Sequence, residues 1–404
     1  MKFQAKKMKN KLCLADNIFF ELIRVAIGNA DCLSHTPTAA EWNELYAMAK
    51  KQSLVGICFA GVQRLQGQRL VPNSWDNEQG EMLYLQWMGM AAKIQQRNEV
   101  LNRQCAELQA RLSDCGMRSA ILKGQGLAAL YAISNEGLKI NDLSGLRQSG
   151  DIDIYVDCGR EKAIEYARSI QDVVDWDYKH LHLKMFKDTE VEMHYVVDVM
   201  LNPWRNYKLQ KYWKSKENET FGGRMTLADG SVITTPTLEF NCVYILLHIY
   251  RHMFAEGVGL RQLMDYYFVL KAAFVDNSDW VKTANLREVV KHDIEQLGLK
   301  RFAESVLWVL GHVFGLPMIH MPWTPNEKGG RVLMEEILVS GNFSKGEISQ
   351  SNASHWQILV STMKRDMRLL FDYPCEVASV PFYYLWHFCW KRVYKYTSNR
   401  NKIT

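Results

Sequence analysis

The sequence predicts an α+β fold in which a mixed β-sheet lies between large N- and C-terminal helical regions. Three observations predict it. Apolar residues recur at helical spacing up to residue 115, alternate with a period of two within 116–235, and return to helical spacing after Pro236. The same shifts divide the chain into an N-terminal helical region (1–115), an α/β core (116–235) and a C-terminal helical region (236–404).

In the first region Thr38-Ala39-Ala40-Glu41 reads as a capping box, and Trp42, Leu45, Tyr46 and Ala49 follow on one helix face. Residues 77–114 are rich in Gln, Arg, Glu and Ala and broken only by Gly80 and Gly89, which predicts one long helix stopped by Gly116. In the core, 119–122 reads as a short buried strand and 124–131 as a helix. Residues 151–156, 180–186 and 191–197 alternate as strands, and 225–234 around Asp229-Gly230 reads as a hairpin.

After Pro236, residues 238–254, 260–274, 286–297 and 300–314 are amphipathic helices, with Pro236 and Pro317 as boundaries. The Ser-, Asn- and Gly-rich stretch 340–354 reads as a loop. A last helical stretch ends in the aromatic run 382–390, read as core, the lesser reading being a membrane-surface or partner-binding face.

The chain has 404 residues, of which 48% are hydrophobic and 23% charged, so disordered and fibrous classes are excluded. Its 49 basic and 44 acidic residues leave +5, a surplus too small and diffuse to indicate a nucleic-acid partner. Nine cysteines with no C-x-x-C pair fit a reducing, cytoplasmic setting. Lys2, Lys6, Lys7, Lys9 and Lys11 are followed by an apolar stretch broken by Asp16, Glu21 and Arg24, so no export signal is expected. The strongest apolar runs, 240–250 and 380–390, contain His248 and His387 and are about half the roughly 20 residues a bilayer requires, so no transmembrane segment is expected.

The sharpest chemical feature is Gly150-Asp151-Ile152-Asp153-Ile154-Tyr155-Val156. On a strand Asp151 and Asp153 share one face, while Ile152, Ile154 and Val156 point to the core. Two adjacent carboxylates repel unless protonated, hydrogen-bonded or neutralised by a cation, and hard ions such as magnesium take oxygen ligands of this kind. Val191-Glu192-Met193-His194 repeats the alternation, so pairing of the two strands would add Glu192 as a third carboxylate. Three carboxylates can hold two magnesium ions, with manganese as a substitute, for an in-line phosphoryl or nucleotidyl displacement.

Leu122-Lys123-Gly124-Gln125-Gly126 reads as a strand end running into a helix, with backbone N–H groups and one cation suited to phosphate. Arg147, just before Gly150, could add a second positive charge. His248 and His252, and Arg261 and Asp265, are spaced i and i+4 on two helices; the second pair permits an intrahelical ion pair. His180 and His182 read as the polar face of a strand.

In this order the motifs resemble a known family. Leu122-Lys123-Gly124 with the following Leu-Ala-x-Leu-Tyr stretch, Leu146-Arg147-x-x-Gly150-Asp151-Ile152-Asp153, Val191-Glu192-Met193-His194 and then 248–265 are similar to the uncharacterised nucleotidyltransferases of the DNA polymerase beta superfamily. The likeness covers about 118–268. It implies a polymerase beta-like mixed sheet on which Asp151, Asp153 and Glu192 bind two magnesium ions. The Lys123-Gly124 turn would then face an NTP, with Arg147 and Gly150 beside it. Separately, the open sheet face and the helices after Pro236 place an acceptor between them, near His194, His248, His252, Arg261 and Asp265. The implied reaction transfers an NMP to a small molecule, glycan or protein and releases pyrophosphate. The turn departs from the superfamily's usual Gly-Ser or Gly-Gly and lies farther from the aspartates.

Two rivals are weighed against it. Gly124-x-Gly126-x-x-Ala129, with Asp157 at the next strand end, matches a dinucleotide-binding fingerprint, but it gives Asp151 and Asp153 no role. The other rival is a catalytically degenerate scaffold on the same sheet.

Overall fold

A computed structural model describes residues 18–67, 78–135, 138–255, 257–274, 280–340 and 367–400. Helices α1 (18–26), α2 (Ala39–Lys51), α3 (Val55–Gly67) and α4 (Glu78–Asp114) make up the first region. The capping box forms: the Glu41 backbone N–H donates to the Thr38 hydroxyl, and the Thr38 backbone N–H donates to the Glu41 carboxylate at 2.7 Å. Trp42, Leu45 and Ala49 are buried behind it.

At 37 residues, α4 is about 55 Å long at 1.5 Å per residue, and it joins two apolar cores. Its first half, with Leu83, Trp87, Ala91 and Ile94, packs among the helices. Its second half, with Leu101, Cys105, Leu108 and Leu112, packs under the sheet.

The strands are β1 (Ser119–Ile121), β2 (Ala132–Asn135), β3 (Leu138–Asp142), β4 (Ile152–Val156), β5 (Asp175–Trp176), β6 (His180–Leu183), β7 (Val191–His194), β8 (Gly223–Thr226) and β9 (Val232–Thr235). The main sheet has the order β1-β4-β7-β6-β5, with β4 and β7 parallel and its other pairs antiparallel. The predicted hairpin is β8–β9. The β2–β3 hairpin and the two-residue β5 have no counterpart in the sequence reading, and residues 124–131 form a 3₁₀ rather than an α-helix. Helix α5 (Gly159–Ile170) follows β4, and α6 (Pro203–Ser215) and α7 (Glu217–Phe221) follow β7.

Helices α8 (Leu238–Ala255), α9 (Leu260–Ala273), α10 (Trp280–Gln296), α11 (Lys300–Phe314) and α12 (Glu327–Ser340) follow Pro236, and α13 (Pro374–Arg400) comes last. The two helical regions share one apolar cluster: Phe19, Trp42, Phe59 and Trp87 lie in it with Phe254, Phe268, Phe302 and Phe314. Arg24 and Asn29 donate to the carbonyls of Val313 and Phe314 at 3.1 and 2.6 Å, which ties α1 and its following turn to the end of α11.

Beyond Ser340, the loop read over 340–354 lies outside the described residues, as do the N-terminal lysines. The aromatic run 382–390, read as core, is corrected: Phe382 is 69% and Leu385 62% exposed. Trp386 and Trp390 of this run meet Tyr178 edge-on, with ring centroids 4.9 and 5.8 Å away. Among the described residues no helix is long and apolar enough to cross a membrane.

Candidate active site

Alternation on two parallel strands builds the site. Ile152 and Ile154 pair with Val191 and Met193 on the buried face, which places Asp153 beside Glu192 and Tyr155 beside His194 on the other. Asp151 stands two residues before Asp153 on that polar face. Carboxylate oxygens of Asp151, Asp153 and Glu192 all lie within 4.8 Å of one another. The three carboxylates read from the sequence therefore converge.

Asp153 is 2% exposed, and both of its oxygens face protein cations or donors. Lys123 Nζ lies 3.1 Å from Oδ2, and His194 Nε2 lies 3.1 Å from Oδ1 and 3.4 Å from Glu192 Oε2. Burial would raise the Asp153 carboxyl, but Lys123 and His194 hold it well below the ordinary carboxylate value. Burial likewise opposes the hydrogen bond from His194 that brings Glu192 down to about 2. Asp151 moves the other way: the charge on Asp153, with burial, pushes it up, and Lys123 only partly offsets this. Three crowded acids with one displaced upward by its neighbours form an electrostatic demand for a cation. Oxygen-only donors of this set fit a hard divalent ion.

Lys123 reaches Asp153 because of its turn. The Leu122 N–H still pairs with the Asp153 carbonyl at 3.0 Å, Lys123 is extended, and Gly124 at φ +62° turns the chain into the 3₁₀ helix. A Cβ on Gly126 would lie 2.5 Å from the Ile121 carbonyl oxygen, so close packing accounts for that glycine without a dinucleotide. Asp157 is taken by Arg118 Nε at 2.6 Å. Nothing lies within 4 Å of where a Gly150 side chain would begin, leaving space beside Asp151.

Arg147, read as a phosphate contact, is 4% exposed and faces a carboxylate instead. Its Nε and Nη2 each donate to Asp265 at 2.7 Å, and Nη1 donates to Ser149 at 2.6 Å. Asp265 also accepts from the Tyr131 hydroxyl at 2.6 Å. Asp265 thus gains a long-range partner in Arg147, while the charge of Arg261, four residues away on the same helix, also helps to hold its carboxyl down. Arg261 Nη1 donates to the Gln148 carbonyl at 2.9 Å, and its charge draws the Asp151 carboxyl down, so it stands within electrostatic reach of the aspartates.

His248 and His252 are buried on α8 with ring centroids 4.3 Å apart. His248 Nδ1 lies 3.8 Å from Asp198, which is also 3.0 Å from Arg251 Nε and 3.6 Å from Lys179 Nζ. Burial, then the charge of Lys123, lowers His248 to about 3.

Sequence reasoning passed over Lys179, Asp198 and Arg251, and also a brace on α4. There Asn98 donates to the carbonyls of Gly145 and Arg147 at 2.7 and 2.8 Å, Asn102 accepts from Gln125 at 2.5 Å, and Arg97 donates to the Gly150 carbonyl at 3.1 Å. Two asparagines four residues apart in a long helix of good helix formers were the available signal. The brace holds both loops that frame the aspartates.

A family model described as Uncharacterised nucleotidyltransferase matches residues 38–315. The chain belongs to that family. The matched span runs from the α2 cap to the end of α11, so the sheet and the helices covering it fall within one family unit. Comparisons with curated proteins and with solved structures return no match. Membership in a nucleotidyltransferase family points to a transferase acting on nucleotides; enzymes of this kind usually use a divalent metal, and the acidic cluster on the sheet could hold one.

Proposed function

We propose that this protein is a polymerase beta-like nucleotidyltransferase of the cytoplasm that transfers an NMP from an NTP to an acceptor hydroxyl or phosphate, with pyrophosphate leaving. The convergence of Asp151, Asp153 and Glu192 within 4.8 Å carries this reading. In it these three carboxylates hold two magnesium ions, or manganese in their place, whose charge would neutralise the triphosphate and favour the departure of pyrophosphate.

The chain's own residues do the rest. Lys123, carried on the Gly124 turn, supplies a cation to phosphate oxygens, and open space beside Gly150 admits them. Glu192, held below the ordinary carboxylate value by the hydrogen bond from His194 against its burial, contributes negative charge to the cation site. Arg147 and Asp265 position the 147–150 loop. Arg261, His194, His248 and His252 line the side toward α8 and α9, where a small-molecule, glycan or protein acceptor would approach.

A degenerate scaffold is favoured by one observation, that Lys123 and His194 already occupy both oxygens of Asp153. Radiolabel separates the two. With magnesium and a cell extract, α-labelled NTP should label an acceptor and γ-labelled NTP should not. Label from the γ position would mean a kinase, and no label from either would favour the scaffold.

A further inference from the structure

Three nitrogen and oxygen donors meet one strand away from the aspartates. His180 on β6 lies opposite His194 on β7 in the antiparallel register, and Glu192 precedes His194 by two residues on the same face. Ligand atoms of His180, Glu192 and His194 lie within 4.8 Å of one another, and the two imidazole centroids are 5.1 Å apart. His180 Nδ1 is 3.9 Å from Glu192 Oε2 and 3.9 Å from Asp177 Oδ1.

The two His180 separations are too long for hydrogen bonds. They are close to the roughly 3 to 4 Å between donors sharing one ion at metal–ligand distances of about 2.0–2.2 Å. The Nδ1 atoms of His180 and of His194, which is 1% exposed, are buried with no hydrogen-bond partner. A buried polar nitrogen left unsatisfied is costly, and such an orphan calls for a missing partner.

We propose that His180, His194 and Glu192 form a second cation site, specific for a borderline divalent transition-metal ion such as Zn²⁺ or Co²⁺ rather than magnesium. Two imidazoles and one carboxylate select nitrogen-preferring metals, whereas the neighbouring all-carboxylate set suits a hard ion. Glu192 belongs to both sets, so one sheet face sorts two kinds of cation by donor type. Asp177 is near enough to complete the shell. The site stands on its own geometry and does not require the transfer reaction.

Co²⁺ titration of the full, metal-stripped chain, read by visible absorption, tests this site. One equivalent of Co²⁺ should bind and resist displacement by excess Mg²⁺, and Zn²⁺ should displace it. His180→Ala, and His180→Gln should the first variant fold poorly, should weaken Co²⁺ binding at least tenfold with an unchanged far-UV spectrum. Asp151→Asn should leave the Co²⁺ spectrum in place. Absence of Co²⁺ binding, ready displacement by Mg²⁺, or full retention in the folded His180 variant would overturn the proposal. Failure of NTP binding with Co²⁺ binding intact would count against the transferase reading alone.

Discussion

Two of the buried charge clusters in this fold are built on opposite principles. At the α9 junction one carboxylate, Asp265, receives a two-pronged guanidinium from Arg147 and a phenol from Tyr131, so its charge is matched and its acceptors are engaged. On the sheet face Asp151, Asp153 and Glu192 crowd together around Lys123, and Asp151 is pushed up by its neighbour. The junction is arranged for stability. On the sheet face Asp151 stays pushed up despite Lys123 and Arg261, an incompletely matched charge of the kind a cation-binding site uses.

That contrast can be broken most severely at the junction. Arg147→Ala leaves Asp265 buried without its cation, and loss of about 3–5 kcal/mol in denaturant unfolding is expected. A loss below about 1 kcal/mol would mean that the pair is not the strut described.

Acid should distinguish the clusters next. Buried His248, near Asp198, Lys123, Arg251 and His252, is lowered to about 3 from an unfolded value near 6.5. Below that unfolded value the unfolded chain binds a proton the folded chain refuses, so the stability present above pH 6.5 is lost as pH falls toward 3. Each such histidine contributes about 1.4 kcal/mol per pH unit, or about 2 kcal/mol between pH 6.5 and 5. His248→Gln should flatten the unfolding profile by that amount. Asp265, whose carboxyl is lowered by Arg147 against its burial, should give up its support only below its ordinary range near 3.8. Parallel pH profiles for wild type and His248→Gln would contradict this.

The smallest change in stability is expected on the sheet face itself. Asp151→Asn removes one of three repelling charges, so thermal melting should show stability within about 1 kcal/mol of wild type, unchanged or raised. A loss comparable to that of Arg147→Ala would erase the distinction between the clusters.

How much of this was legible depended on range. Strand alternation is local, so the shared face of Asp151 and Asp153, and the matching face of Glu192 and His194, could be read directly, and the β4–β7 register then aligned them. Asp265 divides by range: the attraction of Arg261, four residues away, was legible from spacing, whereas Arg147, 118 residues away, reaches it only through tertiary packing. Asp198 and Lys179 carry no local pattern that marks them, and only the tertiary fold gathers them with His248 and Arg251 of α8. The exposed 382–390 run failed for the complementary reason, since aromatic composition does not reveal whether a second layer covers the helix.

The central claim is that the sheet face lacks positive charge by design and takes it from magnesium when it binds a nucleotide. Calorimetric titration of ATP, GTP, CTP and UTP into wild type and Asp151→Asn, each with and without magnesium, tests it most directly. Wild type should bind at least one NTP only with magnesium, and Asp151→Asn should lose that affinity at least tenfold, about 1.4 kcal/mol, while melting no lower than wild type. Equal affinity in the two proteins, or binding indifferent to magnesium, would contradict the account.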